Sequence, residues 1–498
     1  MPPKRIRQLY NTVAVPAFTY AADIWFTGIH TAPSGLKRLG SVAIAKKLSS
    51  IQRHMAKTIT GALSTTAGDV LESHANLLPI ELLFNKVQFR AAAQIASLPP
   101  PHPLHAPACK AAKRFVKRHK SPLHYLFHTT RINPNEVEPI SAVRRRPNYI
   151  PAFTTSILNS KPAALKAANN HHNTQVSVYC DGSSLDNGTG GAAVLFIDRV
   201  EKASLCYHLG PSNKHTVYEG ELIGLLLAIH LLTSLHFQFH SYTVIGTDNQ
   251  AAIQALNNQR PHPGHYILDN IHNAVERLHR KQASLQNPGR TNLPIRDVID
   301  LRIHWTPGHE EFPPNERADE LAKQAAQGNS SPKRLLPLLL RTNPLPDSIP
   351  AICQANLTLL RKNWKKHWKK SLRYPLINSI NVSLPSNNFL KLINSLDRRQ
   401  SALIAQLRTG HSQLNQHLFR IRHSETPSCP HCNSITVESV KHYLTQCPHY
   451  QHERHHLRRK LRRQADSISF LLSNPAATKP LLAYVKSTKR FQPQTQQV

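Results

Sequence analysis

The pattern of apolar and polar positions changes sharply near residue 175. Residues 175–180 alternate as a strand does, a glycine-rich turn follows at 188–191, and the apolar run 192–197 is typical of its hairpin partner. The same reasoning predicts, in order, strand 205–209, helix 215–236, strand 242–247, helices 249–257 and 265–281, strand 301–305 and helix 315–327. This order indicates an α/β domain with one mixed five-stranded sheet and flanking helices.

The regions on either side of this segment have a different pattern. Apolar positions at helical spacing predict helices over 48–61 and 79–96, in a helical region that ends at prolines near 103. Residues 104–173 are basic and irregular, and 331–350 is rich in proline, so both are predicted to be linkers. The remainder is basic and mostly helical before a polar tail. The predicted domains are therefore 1–103, 174–330 and 351–498.

Charge separates the same regions. The 498 residues include 62 Lys and Arg but only 28 Asp and Glu, a formal net charge of +34. Residues 174–330 contain 16 of the acids and 12 of the bases, which gives −4 there and +38 elsewhere. Basic flanks around a mildly acidic centre indicate that the flanks bind RNA or DNA without sequence specificity and that the centre binds metal.

Cysteine content and hydropathy bear on the compartment. Seven cysteines, three of them clustered with a histidine, do not suit a secreted disulfide scaffold. The first residues lack the apolar core of a signal peptide, and the longest apolar run, 222–232, is too short to span a bilayer. We therefore expect an intracellular protein, nuclear or cytoplasmic, with no membrane partner and no small-molecule substrate. The sequence leaves its oligomeric state open.

Four acidic residues lie in distinctive local frames. Asp181 follows Val-Tyr-Cys, Asp248 follows Ile-Gly-Thr, Glu221 lies at the start of the long apolar helix, and Asp319 lies in Arg-Ala-Asp-Glu-Leu. Strand ends and adjacent helices meet at one edge of an α/β sheet, so these side chains are expected to converge. Clustered carboxylates need a cation, and Mg²⁺ prefers oxygen ligands. His309, on a loop bounded by proline and glycine, is a candidate proton carrier.

Each residue also has an ordinary interpretation when taken singly. Asp181 before a glycine is typical of a turn, Glu221 of a helix N-terminus, Asp319 of an exposed helix and His309 of a surface loop. Glu219 precedes Glu221 by two residues and is the alternative metal ligand. The joint pattern favours a metal site over these separate readings.

The five frames in order resemble a type 1 ribonuclease H domain over about 175–328. The resemblance implies a ribonuclease H-like fold and hydrolysis of the RNA strand of RNA–DNA hybrids, leaving 5′ phosphates. It implies that Asp181, Glu221, Asp248 and Asp319 bind two Mg²⁺ ions, with Mn²⁺ as the alternative, and that His309 is the loop histidine. The loop 283–298 is longer than a minimal domain needs, and the sequence assigns it no role.

A second cluster has the spacing Cys429-x₂-Cys432-x₉-His442-x₄-Cys447. Three thiolates and one imidazole are typical of a closed, structural Zn²⁺ site. His431 and His449 are nearby alternatives or idle neighbours.

Aromatic and basic residues are interleaved at 364–370, and bases are dense at 455–463. Stacking of bases on Trp364 and Trp368 would suit single-stranded nucleic acid. A solvated basic helix face or a nuclear import signal explains the same residues.

The flanks also resemble a known family. Residues 8–25, Ile59-Thr-Gly61 and Leu78-Pro-Ile resemble the segment after the polymerase core of non-LTR retrotransposon reverse transcriptases, in which a ribonuclease H domain and a Cys-Cys-His-Cys knuckle can follow. Thr409-Gly-His411 precedes Cys429 in the order of that family. No Asp-Asp pair occurs in the 498 residues, so no polymerase activity is expected.

Three hypotheses follow. The first is a metal-dependent ribonuclease H with nucleic-acid-binding flanks. The second is a catalytically inactive nucleic-acid-binding remnant of a mobile element. The third is a nuclease that is active only when joined to a polymerase portion.

Overall fold

The computed structural model describes the chain except residues 33, 34, 36, 114–120, 142–144, 147, 187, 240, 241, 259, 287–297, 309, 342, 343, 433–435 and 493–498. His309, most of the 283–298 loop and the end of the polar tail therefore lie outside the described residues. The chain divides into two compact units, Gln88–Leu357 and the combination of Met1–Val87 with Thr358–Val498. The predicted domain limits remain predictions.

A mixed sheet organises the unit Gln88–Leu357. In chain order its strands are β1 (Thr154–Ser156), β2 (Val176–Leu185), β3 (Gly188–Ile197), β4 (Val200–Pro211), β5 (Thr243–Thr247) and β6 (Leu301–Trp305). The spatial order is β1-β6-β5-β2-β3-β4, with β2, β3 and β4 antiparallel and β2, β5, β6 and β1 parallel. The predicted α/β class and mixed sheet are confirmed.

The sheet has six strands rather than the predicted five. The additional strand β1 pairs with β6 from Thr154↔Arg302 to Ser156↔His304. Three residues without alternating hydropathy carry no strand signal, so only the pairing partner defines this edge strand.

Helices cover both faces of the sheet. They are α1 (His105–Lys113), α2 (Pro122–Thr130), α3 (Lys161–His172), α4 (Val217–Ser234), α5 (Gln250–Leu256), α6 (His265–Gln286) and α7 (Pro313–Ala326). Val176, Val178 and Cys180 of β2 pack on the face covered by α4 and α6, whereas Tyr179 packs on the face covered by α3 and α7. The period of two in β2 thus supplies apolar side chains to two separate layers.

Helix α4 is long and apolar enough to cross a membrane by length and composition, the one such helix among the described residues. However, 72% of its 18-residue window is buried, since it packs against the sheet and α6. This is the environment of a core helix.

The two predicted linkers are more ordered than expected. The 104–173 region contributes α1, α2, α3 and the edge strand β1. In the proline-rich segment, Leu336, Leu340 and Leu345 are buried in the core that α4 and α6 form with the sheet. Short apolar stretches gain their burial from a distant partner, which explains why local composition did not reveal them.

The other unit, Met1–Val87 with Thr358–Val498, is mostly helical. Its helical segments are Pro3–Leu9, Tyr10–Ala14, Val15–Thr19, Ala22–Trp25, Val42–Thr60, Gly68–Ala75, Tyr374–Ile380, Asn388–Leu392, Arg398–Thr409, Asn415–Arg420, His442–Gln446, Gln451–Leu461, Ile468–Ser473 and Pro475–Ser487. Helices Ile80–Ala96 and Ile349–Lys369 each contain a unit boundary, and a small ribbon pairs His30–Thr31 with Arg38–Leu39.

The interleaved tryptophans in this unit are core residues. Trp364 and Trp368 are only 5% and 4% exposed and pack against apolar neighbours. The prediction that bases stack on them is therefore wrong, because their spacing of four residues places both on the buried face of one helix. The lysines between them remain exposed.

Candidate active site and metal centres

The sheet brings Asp181 next to Asp248. Strand β2 pairs in parallel with β5 as far as Cys180↔Thr247, so the next residue on each strand is an aspartate. Asp181 was expected to end its strand, but β2 continues to Leu185 because residues beyond Cys180 still pair with β3. The site thus lies at the point where β2 no longer pairs with β5 but still pairs with β3.

Helix α4 supplies the third carboxylate. Its N-cap Thr216 forms a capping box with Glu219, whose Oε2 accepts from the Thr216 backbone N–H and hydroxyl. Glu219 therefore closes the helix N-terminus, and Glu221 is the residue that reaches Asp181 and Asp248. The Thr-x-x-Glu spacing was a sequence signal for this division of roles.

The three carboxylates form a compact cluster. One oxygen from each of Asp181, Glu221 and Asp248 lies within 4.8 Å of the others. Asp181 and Glu221 are 5% and 4% exposed, and Glu221 Oε2 is buried without a hydrogen-bond partner. Burial, and then the charges of neighbouring carboxylates, raise the pKa of both groups. Since a divalent cation would favour the ionised form of all three, the residues fit such an ion.

Asp319 lies beside this cluster rather than within it. Its Oδ2 accepts a hydrogen bond from Lys323 Nζ at 2.5 Å, one turn further along α7. Asp319 is still near enough to contribute to the raised pKa of Asp181, and Asp181 to the raised pKa of Lys323. Of the four predicted carboxylates, three come together directly and the fourth is paired with a lysine.

The last residue of β6 and the segment after it approach Asp248. Trp305 Nε1 donates to the Asp248 carbonyl oxygen at 3.1 Å, and the Thr306 N–H donates to Thr247 O at 2.9 Å. A Cβ on Gly308 would lie 2.4 Å from Asp248 Oδ2, so the glycine allows this loop to approach the carboxylate. His309, the next residue in the sequence, lies outside the described part of the chain.

Two residues near the carboxylates were not predicted from the sequence. A hydrogen bond from the Asn249 side chain partly offsets the raised pKa of Glu221, and Asn249 also caps α5 through Ala252 N–H. The sequence analysis assigned Lys323 no role. The Asp-Asn pair at 248–249 was a sequence signal for Asn249, whereas the position of Lys323 depended on how α7 packs.

The cysteine cluster is also compact. Cys429 Sγ and Cys432 Sγ lie 3.8 and 3.7 Å from Cys447 Sγ, and Cys432 Sγ lies 3.5 Å from His442 Nε2. Four ligands around Zn²⁺ at Zn–S of about 2.3 Å would place sulfurs about 3.8 Å apart. These residues therefore fit a tetrahedral zinc ion. His431 and His449 stack on each other at 3.8 Å outside this group.

A buried ion pair supports the cysteine cluster. Glu438, 1% exposed, accepts from Arg490 Nε and Nη2 at 2.8 and 2.7 Å and from Asn415 N–H at 2.7 Å. This pair links the segment between Cys432 and His442 to the C-terminal end of the described chain. No local pattern predicts this ion pair, because its partners are 52 residues apart.

A family model and curated relatives identify the same family. Residues 173–327 match the family model described as RNase H. The chain is 32% identical over 162 residues to a ribonuclease H of Yersinia pestis and to one of Yersinia pseudotuberculosis, covering 30% of this chain and 90% of each relative.

Two solved structures are similar over the same share of the chain. RNase H1 of the halophilic archaeon Halobacterium salinarum is 20% identical with a TM-score of 0.21, covering 31% of this chain and 98% of that one. The N-terminal RNase H domain of a Mycobacterium tuberculosis protein, fused to maltose-binding protein, is 17% identical with a TM-score of 0.22, covering 31% and 97%.

Proposed function

Since this chain belongs to the ribonuclease H family through residues 173–327, we propose that it is a metal-dependent endonuclease that hydrolyses the RNA strand of RNA–DNA hybrids. The observation that carries the proposal is the cluster of Asp181, Glu221 and Asp248, whose ligand oxygens lie within 4.8 Å of one another and whose first two members are buried. Hydrolysis at such a site leaves a 5′ phosphate and a 3′ hydroxyl.

The proposed ligands of two Mg²⁺ ions, or of Mn²⁺, are Asp181, Glu221, Asp248 and Asp319. Bound ions would supply an activated water and charge stabilisation at the leaving oxygen. The protein holds Asp181 and Asp248 on adjacent strands, so their carboxylates are fixed before substrate binds. Glu221 is fixed by α4, and Asn249 donates to it. His309 is proposed as the group that moves a proton at the leaving 3′ oxygen.

The second proposed metal is a structural Zn²⁺ held by Cys429, Cys432, His442 and Cys447. The fit of their spacing to a tetrahedron supports it. A further proposal is that the basic unit Met1–Val87 with Thr358–Val498 binds RNA or DNA without sequence specificity, which its excess of lysine and arginine supports.

We also propose that the chain derives from a non-LTR retrotransposon. The order of the Thr-Gly, Leu-Pro-Ile, Thr-Gly-His and Cys-Cys-His-Cys motifs around the ribonuclease H domain supports this origin.

The test of the nuclease is cleavage of a labelled RNA–DNA hybrid by the full chain in Mg²⁺, with EDTA, single-stranded RNA and double-stranded RNA as controls. Cleavage of the hybrid alone, and only with metal, is expected. Asp248→Asn should lower the rate by at least about 10²–10³-fold, because one fixed charge at the reacting centre is lost. Asp300→Asn, at an exposed position away from the cluster, is the matched control.

Two results would contradict the proposal. Near wild-type cleavage by Asp248→Asn would refute the site. Tight, salt-sensitive binding of the hybrid without any cleavage by the wild-type protein would favour the inactive remnant.

A further inference from the structure

Two Thr-Gly pairs that lie far apart in the sequence occupy equivalent positions in the helical unit. Helix Val42–Thr60 ends at Gly61 and helix Arg398–Thr409 ends at Gly410, with left-handed φ values of 75° and 70°. A Cβ on Gly61 would lie 2.8 Å from the Cα of Ala402, so the end of the first helix packs directly on the second. The chain segments that leave the two helices meet through Thr65 and His411.

The meeting point of these segments is a hydroxyl between two imidazoles. Thr65 Oγ1 lies 2.9 Å from His411 Nδ1 and 3.2 Å from His417 Nε2. The two rings are 4.5 Å apart, and Thr65 itself is exposed. We call Thr65, His411 and His417, together with Arg373 and Arg420, the two-histidine site.

The charged groups that shift the pKa values of the two histidines are all basic. The pKa of His411 is lowered to about 4 by burial and then by His417, Arg420 and Arg373. Burial and Arg420 also lower the pKa of His417. Among the described residues, no carboxylate contributes to either pKa shift. Arg373 and Arg420 are exposed, and neither forms an ion pair with a described residue.

Several polar atoms of this site are available to a ligand. His411 Nε2 forms no hydrogen bond with a described residue, although its Nδ1 is held by Thr65. His417 is 1% exposed and contacts Thr65 through Nε2, so it positions the hydroxyl and does not itself meet a ligand. Thr65 has one hydroxyl proton for its two imidazole partners, so either this hydroxyl or His411 Nε2 is the donor that faces a ligand. Together with two unpaired guanidinium groups, and with no acid among them, this is the donor set that an oxyanion requires.

We propose that the two-histidine site binds a backbone phosphate of single-stranded nucleic acid. The choice of a polynucleotide over an isolated phosphate rests on the surroundings: this unit has 34 basic and 9 acidic residues, a net charge of +25. This positive charge attracts a polyanion, and the two-histidine site holds one of its phosphates in a defined position. The proposal rests on the proposed function only in assuming that the chain acts on nucleic acid.

The test compares two charge-matched double variants of the full chain carrying Asp248→Asn. One combines Arg373→Gln with Arg420→Gln, and the control combines Arg361→Gln with Lys362→Gln at exposed positions on the helix Ile349–Lys369. Binding of a fluorescein-labelled 20-nucleotide oligouridine is followed by anisotropy over a range of salt concentrations. All four positions are exposed, and equal melting temperatures verify that both proteins fold.

The site variant is expected to bind about 10-fold more weakly near physiological salt, with a salt slope flatter by about 1.4, since two single-strand phosphate contacts contribute about 0.7 each. The affinity of the control double variant for the oligouridine should fall by less than about threefold. His411→Gln should weaken binding in the same direction as the site variant. An uncharged peptide nucleic acid should not distinguish the two proteins.

Equal losses in the two double variants would overturn the proposal. Competition by inorganic phosphate that exceeds the effect of chloride at equal ionic strength would overturn the polynucleotide as ligand. Binding is measured here without cleavage. A negative hybrid cleavage test would therefore not affect this proposal, and equal binding by the two double variants would not affect the proposed nuclease activity.

Discussion

Gly182 lies directly against Glu221: a Cβ on Gly182 would come within 2.2 Å of the Glu221 amide nitrogen. The backbone of α4 therefore packs on the backbone of β2 with no side chain between them. Gly224 continues this contact, since its Cβ would lie 2.9 Å from the Asp181 carbonyl oxygen. The glycine after Asp181 is thus a packing requirement that sets the distance between two carboxylates.

Gly182→Ala is expected to reduce both stability and hybrid cleavage. The neighbour is backbone and cannot rotate away, so overpacking should cost about 1–3 kcal/mol of unfolding free energy. A shift of about 1 Å between Asp181 and Glu221 should lower kcat about 100-fold. Denaturant unfolding and single-turnover cleavage measure the two effects. Gly68→Ala is the control, because nothing lies nearer than 3.8 Å to its Cβ; equal behaviour of the two variants would contradict the packing argument.

Lys323→Gln is expected to tighten Mg²⁺ binding. Lys323 neutralises Asp319, so a cation competes with the ammonium group for this carboxylate. Because the lysine side chain is 45% exposed, the gain should be modest, about 2–5-fold in affinity. Calorimetric titration of Mg²⁺ into the substrate-free protein measures it. Lys202→Gln, exposed on β4, should leave the affinity unchanged; weaker Mg²⁺ binding by Lys323→Gln would contradict the competition.

Zinc content provides the test of the cysteine cluster. We expect about one zinc per chain, with loss of the metal in Cys432→Ser but not in Cys206→Ser, whose thiol lies outside the cluster. Cys429 and Cys447 belong to the core of the helical unit, so metal loss should lower its stability by at least about 2 kcal/mol, or about 4–8 °C in melting temperature. Full zinc content in Cys432→Ser would refute the ligand set.

Acid sensitivity is expected from His304 on β6. Burial and then His171 lower its folded-state pKa to about 3, whereas the pKa of a histidine in the unfolded chain is about 6.5. Between these values the unfolded chain binds a proton that the folded chain does not, so stability falls as the pH is lowered.

When the pH is lowered from about 6.5 to about 5, the unfolding free energy of His304→Gln should therefore fall by about 1.5–2 kcal/mol less than that of the wild type. Urea unfolding at the two pH values measures the difference, with His367→Gln at an exposed position as control. Identical pH dependence in wild type and His304→Gln would contradict the assignment.

The sequence by itself determined the order of elements in the ribonuclease H region and the frames of its acidic residues. Hydrophobic periodicity and turn residues act over a few positions, so β2, β3, α4 and β5 were predictable within a few residues. The capping box of Thr216 and Glu219 was equally local, since the two residues are three positions apart.

Only the tertiary structure decided which side chains meet. The register of β2 against β5 places Asp181 beside Asp248, and the packing of Gly182 brings Glu221 to them. The pairing of Asp319 with Lys323, the burial of Trp364 and the edge strand β1 depended likewise on partners distant in sequence. Local propensity cannot specify such contacts, because their free energy comes from burial and pairing that exist only once the chain has folded.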